Sequence, residues 1–177
     1  MFSSSGPPGP EDLRRLYDAA APLLLRIAAR IAGSSEAGED IVHDAFARLV
    51  EKRIPFPTLD DAKFWLIRVT KNGALNYAKR KGREAKAYER WWRGEKESSG
   101  GADEVVLRAE SSEELRRGLE SLPEGLKAVL VLKEYGGLNY KEIGRALGIS
   151  EGNVKVRAFR AREALHTRLG EGSKDVS

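Results

Sequence analysis

Apolar positions in the first half of the chain repeat with the period of an α-helix in three segments. The first runs from Leu13 to Ile31, and Gly33 interrupts it. The second covers about Glu36 to Arg53, and the third opens at Asp60 or Asp61. Between them, each proline of Ile54-Pro55-Phe56-Pro57 restricts the residue before it to extended geometry. The pattern predicts three helices, with a stiff loop before the third.

The second half predicts shorter helices behind a polar connection. One helix ends near Leu122, and another begins at Pro123-Glu124 and closes at Gly136-Gly137, as expected from Pro at helix starts and Gly after helix ends. The stretch from Glu97 to Asp103 is rich in Ser and Gly and short of core-forming residues. The chain is therefore predicted to be all-α, with two small helical domains joined by a flexible linker. The predicted parts are a disordered head at 1–10, a first domain at 11–95, a flexible acidic linker at 96–110, a second domain at 111–169 and a disordered tail at 170–177.

The end of the second domain predicts a helix-turn-helix between Tyr140 and Arg162. Gly144 provides the small residue that two crossing helices need where their backbones approach. Gly148 suits the left-handed conformation at a helix end, and Val154 provides an apolar plug at the crossing. Ser150 occupies an N-cap position, so the second helix should begin at about Glu151.

The exposed faces of that second helix carry Lys155, Arg157, Phe159, Arg160 and Arg162. A cationic helix in this motif is typical of proteins that read the DNA major groove. The alternative is a helical hairpin whose basic face is only solvated. The agreement of the small residue, the turn glycine, the cap and the plug favours DNA binding.

Charge is unevenly distributed along the chain, although the formal net charge is only +4. Basic residues dominate from Asn76 to Lys96 and again from Lys155 to Arg168, whereas acids dominate from Glu97 to Glu114. Two separate basic patches with an acidic connection predict a polyanionic partner that is contacted at two places.

Several functional classes are excluded or disfavoured. The chain has no Cys and two His, which excludes disulfides and a Cys/His zinc site within it. No apolar run reaches membrane-spanning length, and Met1 to Pro10 lacks the features of a signal peptide, so a cytoplasmic location is expected. A phosphate-binding glycine loop, a nucleophile elbow and paired carboxylates are all missing from the sequence. The chain is therefore predicted not to be an enzyme and to need no cofactor.

Four segments in this order resemble bacterial RNA polymerase sigma factors of the extracytoplasmic-function group. The resemblance covers about Leu13 to Leu169 and implies two helical DNA-binding domains on a flexible linker. It also implies core RNA polymerase and promoter DNA as partners, together with an inhibitory anti-sigma factor. The four segments are AGEDIVHDAF (37–46), FWLIRVTKN (64–72), LPEGLKAV (122–129) and SEGNVKVRAFRAR (150–162).

The resemblance implies that the second helix docks on the largest polymerase subunit. The matching residues are Asp40, His43, Asp44 and Leu49. The acids of this helix would suit a basic partner. Chemistry alone favours the alternative that these acids only stabilise the helix start through its dipole, and the motif match reverses that preference.

The resemblance further implies that the first domain opens the promoter at its −10 element and holds an extruded base. Phe56 matches an aromatic loop position, and Asn72 matches a residue that reads base edges. Packing of Phe56 on the core, and a solvated Asn72, are the alternatives. The flanking positions are Arg48 and Val69, and the phosphate-binding ridge beside them is Lys79, Arg80, Lys81 and Arg83. The aromatic residues Tyr88, Trp91 and Trp92 extend that ridge, and their role stays open.

The helix-turn-helix is implied to read the upstream −35 element. Lys155, Val156, Phe159 and Arg160 match base-facing positions, while Arg157 and Arg162 are expected to grip phosphates. Two rival interpretations stay open on the residues alone. One is a dimeric helix-turn-helix regulator that does not bind core polymerase, and the other is an adaptor that binds proteins.

Overall fold

A computed structural model describes the backbone of residues 6–92 and 106–172, and the side chains of residues 6–91 and 113–170. Within those ranges the chain forms helices and no strand, which confirms the all-α prediction. The helices are α1 Pro10–Ala32, α2 Ser35–Glu51, α3 Leu59–Trp92, α4 Val106–Glu120, α5 Glu124–Glu134, α6 Tyr140–Leu147 and α7 Glu151–Gly172.

A tight turn joins α1 to α2 and brings the two helices into close contact. Gly33 ends α1 in the left-handed conformation with a φ of 73°, and the Ala37 amide donates to the Ser34 hydroxyl, which caps α2. Gly38 lies against α1, where a Cβ would come within 2.9 Å of the Ala29 nitrogen. α3 packs on both helices. The fully buried side chains of this half include Leu24, Ile27, Ile31, Val42, Leu49, Leu66 and Ile67.

The helix-turn-helix is present as the sequence predicts. Gly148 has a φ of 70°, and the Asn153 amide donates to the Ser150 hydroxyl over 3.2 Å. A Cβ on Gly144 would lie 2.7 Å from the Ile149 carbonyl oxygen, so the crossing requires a glycine there. Val154 is fully buried between the two helices.

The two halves of the chain pack against each other through one continuous apolar core. Residues of α1 and α3 and residues of α5, α6 and α7 belong to the same buried cluster. Lys127 of α5 is 5% exposed, and its Nζ donates to the Ile31 carbonyl oxygen at the end of α1 over 3.0 Å. α1 contacts α5, and α3 contacts α6. The sequence left this relative arrangement open.

Several predicted boundaries differ from the structure. Residues 106–110, predicted as linker, form the start of α4, and the rest of that linker, 96–105, lies outside the described residues. α2 ends at Glu51, two residues early, and Arg53 has a φ of 46°. Pro10 and Gly170 are helical, although the predicted head and tail include them. None of the helices in the described ranges has the length and apolar character needed to span a membrane.

Candidate nucleic-acid interface

The recognition helix α7 buries one side and presents the opposite side to solvent. Val154, Ala158 and Ala161 are fully buried at helical spacing. The opposite side includes two exposed apolar side chains, Val156 at 48% and Phe159 at 64% exposure. The cations of this side are Lys155, which pairs with Glu151 over 3.1 Å, and Arg160, which is exposed. The structure therefore brings together Lys155, Val156, Phe159 and Arg160, the four predicted base-reading residues.

Arg157 and Arg162, the two arginines of α7 that were predicted to bind phosphates, contact other protein groups instead. The Arg157 Nε donates to the Asn153 side-chain oxygen over 3.1 Å, and its guanidinium lies beside Gly125 of α5. Arg162 pairs with the Glu134 carboxylate over 2.7 Å.

The hydrogen bond to Glu134 raises the pKa of Arg162, which stays cationic in any case. The Tyr140 hydroxyl adds a second, longer contact at 3.5 Å. Arg157 and Arg162 are therefore already engaged within the second half, and a phosphate would have to compete with these partners.

A groove of about 340 Å³ runs between α2 and α3. It is lined by three predicted DNA-binding residues, Arg48, Val69 and Arg80, and by the predicted docking residues Asp40 and Asp44. The remaining ridge cations, Lys79, Lys81 and Arg83, are exposed on the later part of α3. The groove thus contains basic and acidic side chains together.

Asn72 does not line that groove. It lies on another side of α3, in a cleft of about 490 Å³ between the two halves, together with Lys71, Glu124 and Arg157. Burial lowers the pKa of Lys71 below its ordinary value, and the neighbouring Arg68 adds to that effect. This cleft was not predicted, because it exists only where the halves meet.

Phe56 occupies the core rather than an exposed loop position. Its ring is 7% exposed and meets Trp65 edge-on, with ring centroids 5.9 Å apart. The structure thus agrees with the alternative that the sequence left open. In this conformation a base cannot stack on the ring, because the hydrophobic effect and the Trp65 contact hold it inside.

The predicted docking surface on α2 needs one correction. Asp40, His43 and Asp44 are exposed, whereas Leu49 is 1% exposed and belongs to the core. Its neighbour Val50 is 53% exposed instead. Val50 lies seven residues after His43, which places both on one helix face. That spacing was the signal that could have identified Val50 from the sequence.

Arg68 and Arg145 join α3 to α6, and the sequence analysis did not identify either residue. The Arg68 guanidinium donates to the Ala146 carbonyl over 2.9 Å and to the Arg145 carbonyl over 3.2 Å. Arg145 in turn pairs with Asp61 and lies 4.4 Å from the centre of the Phe64 ring. Hydrogen bonds from Thr58, and then from Arg145, lower the pKa of Asp61.

Matches to family models cover most of both halves. The model of Sigma-70 region 2 matches residues 16–84, and the model of Sigma-70 region 4 matches residues 112–165. The first match contains the α2–α3 groove, and the second contains α5 and the helix-turn-helix.

Similar proteins agree with these matches. The ECF RNA polymerase sigma-E factor of Escherichia coli strain K12 is 35% identical over 142 residues, which is 73% of this chain and 72% of that protein. The sigma factor SigE of Mycolicibacterium smegmatis is 28% identical over 158 residues, covering 89% of this chain and 61% of that protein.

Among solved structures, the sigma factor RpoE of Bartonella quintana, crystallised with the anti-sigma factor NepR, has the same fold. Its TM-score is 0.62 at 20% identity, and the match covers 90% of this chain and 98% of that one. The family models, the relatives and the fold agree with the two-part architecture seen here. The chain therefore belongs to the ECF RNA polymerase sigma factors, the extracytoplasmic-function group of the sigma-70 family.

Proposed function

We propose that this sigma factor, which directs core RNA polymerase to promoters, reads two promoter elements with two separate surfaces. The outer side of α7 reads the −35 element, and the α2–α3 region reads and opens the −10 element. The exposed basic and apolar side of α7 is the observation that carries this proposal. Val156 and Phe159, at 48% and 64% exposure, lie on the same side of α7 among its cations, and exposed apolar groups rimmed by polar residues mark an interaction site.

Base reading on α7 follows from the chemistry of its exposed side. Arg160 can donate two hydrogen bonds to a guanine edge, and Lys155 can donate to an acceptor in the same groove. Val156 and Phe159 suit thymine methyl groups. Arg157 and Arg162 support the helix, since their present partners are protein groups.

Opening of the −10 element is assigned to the groove and to the adjoining side of α3. Arg48 and Arg80 provide positive charge for phosphates, and Val69 provides an apolar wall beside them. Asn72 reads a base edge from the neighbouring side of the helix. Phe56 supports the loop from the core. It contacts an extruded base only if the loop residues Ile54 to Pro57 move outward.

Docking on core polymerase is assigned to the exposed face of α2. Asp40, His43 and Asp44 provide charge and hydrogen-bonding groups, and Val50 provides an apolar contact. Such a face suits a partner helix with basic residues around an apolar stripe. The proposed role is that of a non-catalytic subunit acting in the cytoplasm, where polymerase performs the chemistry.

An anti-sigma partner is also proposed. The structural neighbour from Bartonella quintana was crystallised with the anti-sigma factor NepR. In this chain, an inhibitor would need to cover the exposed side of α7 or the groove on α3. The closed packing of the two halves already places Asn72, which is exposed, along a cleft that the second half lines as well.

Run-off transcription tests the proposed function. Purified core polymerase, with or without the full chain, is supplied with genomic fragments, and the expected result is new transcripts with defined starts. A helix-turn-helix regulator without polymerase binding would give none and would not associate with core polymerase. The absence of both transcription and association would overturn the proposal.

Strand opening on such a promoter tests the assignment of Asn72. Asn72→Ala should reduce permanganate reactivity of the opened segment more than it reduces formation of the closed complex. Arg14→Ala, a change on the exposed side of α1, serves as the control. Equal loss in both assays would show that Asn72 does not act in opening.

A further inference from the structure

The cleft between the two halves is large enough for a small molecule. Its volume of about 490 Å³ lies within the roughly 300–1,000 Å³ that is typical of small-molecule sites. Three parts of the chain line it: α3 with Lys71, Asn72, Leu75 and Asn76, α5 with Glu124, Gly125 and Ala128, and the helix-turn-helix with Leu147, Ile149 and Arg157. A molecule bound in the cleft would therefore contact both halves at once.

Several hydrogen-bond donors of this cleft lack protein partners. The ammonium of the half-buried Lys71 makes no hydrogen bond or ion pair within the described residues, and the side-chain amides of Asn72 and Asn76 make none either. Arg157 donates through its Nε to Asn153, and its two terminal nitrogens have no such acceptor among these residues. Burial lowers the pKa of Lys71, as expected of an ammonium without a counter-ion. Two cations and two amides are thus available to an external acceptor.

The charges of the cleft favour an anionic ligand. Glu124 is the single carboxylate among the lining residues, and it lies 3.7 Å from the Lys79 ammonium. Lys71 and Arg157 therefore outnumber the acids of the cleft. Ammonium and guanidinium groups form their strongest hydrogen bonds with carboxylates and phosphates.

The apolar part of the cleft suits a flat ring. Leu75, Leu147 and Ile149 are half-buried and line the cleft beside the two amides. Nucleobases that leave a base stack are held between apolar or aromatic side chains and by hydrogen bonds to their edges. An asparagine side chain can pair with N6 and N7 of adenine. An adenine ring joined to a phosphate therefore matches both parts of the cleft.

We propose that this cleft binds a free adenine nucleotide, with its phosphate on Lys71 and Arg157 and its base against Asn76 and the apolar wall, and that the ligand holds the two halves together. Binding itself does not depend on the proposed function, whereas the consequence for transcription rests on it. A nucleotide in the cleft lies beside Asn72 and opposes separation of the halves, so it should inhibit promoter opening.

The first test uses adenosine monophosphate (AMP) as the probe and the full chain as the protein. Isothermal titration calorimetry measures its binding, and adenosine and inorganic phosphate are titrated separately. AMP should bind one to one and more tightly than either of its parts, because the linked groups fill both parts of the cleft. Thermal unfolding should shift to higher temperature as the AMP concentration rises, because the ligand binds the folded chain.

Two substitutions in the cleft should change AMP binding in opposite directions. Lys71→Met removes a charge-assisted hydrogen bond and should weaken AMP binding at least about tenfold, with adenosine binding unchanged. Glu124→Gln removes the carboxylate of the cleft and should strengthen AMP binding several-fold, a result that misfolding cannot produce. Lys141→Met, at an exposed position of α6, is the matched control and should bind AMP like the wild type.

The second test measures the consequence for transcription. Permanganate footprinting is done with core polymerase and a promoter that the wild-type chain opens, without nucleoside triphosphates. AMP should reduce opening by the wild-type chain. The Lys71→Met variant should require at least about ten times more AMP for the same fractional reduction.

Several results would overturn the proposal. Absence of saturable AMP binding up to millimolar concentrations would show that the cleft holds no nucleotide. Equal affinity for phosphate and AMP would show that no base is bound, and equal AMP affinity of Lys71→Met and the wild type would place the ligand elsewhere. Opening that AMP does not reduce would show that the ligand does not hold the halves together. Failure of the proposed function is distinguishable, because AMP binding to the free chain needs neither polymerase nor promoter.

Discussion

At the scale of single residues, Lys127 is the least expected side chain in the core. It is 5% exposed, and its ammonium donates to the Ile31 carbonyl without a carboxylate at salt-bridge distance among the described side chains. Desolvation lowers the pKa of Lys127 below its ordinary 10.5, although Glu120 and Glu124 partly oppose that effect. The residue therefore joins the two halves at an energetic cost in its charged form.

The lowered pKa of Lys127 predicts a pH-dependent stability. Between its folded-state pKa and 10.5, the unfolded chain binds more protons than the folded chain, so this residue makes stability rise with pH. Lys127→Met removes the titration. The free energy of unfolding of wild type minus that of the variant should therefore increase from neutral pH to about pH 10. Urea unfolding at several pH values measures it, with the exposed Lys141→Met as control. A flat difference would contradict the prediction.

Arg160 and Arg162 lie on one helix two residues apart, yet the structure assigns them different surroundings. Arg160 is exposed on the outer side of α7, whereas Arg162 is held by Glu134 and Tyr140. Arg160→Ala should therefore weaken binding to the preferred −35 sequence by about 1–3 kcal/mol and relax specificity at one base pair. Binding titrations on single-base variants of the site measure this effect, with Arg14→Ala as control. Equal loss on all sequences would identify Arg160 as a phosphate contact.

Single residues were also where sequence-based prediction was weakest. Leu49 matched a docking position, but the helix rotation that buries Ala45 buries Leu49 as well. Phe56 lies in a proline-flanked loop, a position at which an exposed side chain is expected. Only the contact with Trp65 in the structure shows that the Phe56 ring packs inward. Both cases concern which way a side chain faces, and that depends on how neighbouring elements pack.

At the scale of elements, local rules were sufficient for the helix-turn-helix. The turn depends on a left-handed glycine, a serine cap and a close backbone approach, all within a dozen residues of each other. Such features can be identified from the local sequence. The sequence analysis gave no end for α3, which extends to Trp92, because the later part of this helix has no apolar face to signal a helix.

The close approach at Gly144 predicts a large effect from one methyl group. Gly144→Ala places a Cβ 2.7 Å from the Ile149 carbonyl oxygen, which is backbone and cannot move aside. The cost of overpacking, about 1–3 kcal/mol, should exceed the gain in helix propensity of about 1 kcal/mol. Chemical denaturation should show lower stability. Gly152→Ala, which meets nothing within 4 Å, is the control and should leave stability unchanged or slightly higher. A stabilised Gly144→Ala would show that the crossing can widen.

At the scale of the whole molecule, the two halves share a core that neither the linker composition nor the motifs indicated. Arg68, Arg145 and Lys127 hold the halves together by bonds to backbone carbonyls and to Asp61. These bonds join residues about eighty to a hundred positions apart, so no local pattern could predict them. The family resemblance predicted the two functional halves, whereas their mutual arrangement emerged only from the structure.

The closed arrangement predicts that DNA binding requires the halves to separate. Two promoter elements that are separated along DNA need two readers that stand apart, whereas Asn72 of the first half and Arg157 of the second half line the same cleft of about 490 Å³. The chain has no cysteine, so Asp61→Cys/Arg145→Cys introduces a unique pair at a contact between α3 and α6.

Joining that pair with a short, reducible bismaleimide should abolish promoter opening, and cleavage of the linker by reductant should restore it. The reason is that a linked molecule keeps the second half beside Asn72 and prevents the two readers from standing apart on DNA, whereas association through the exposed face of α2 does not depend on separation. Permanganate footprinting measures opening, and co-purification with core polymerase measures docking. The uncrosslinked double variant is the control for loss of the Asp61–Arg145 pair. A crosslinked chain that opens promoters as well as this control would show that the closed form is itself competent to bind and open DNA.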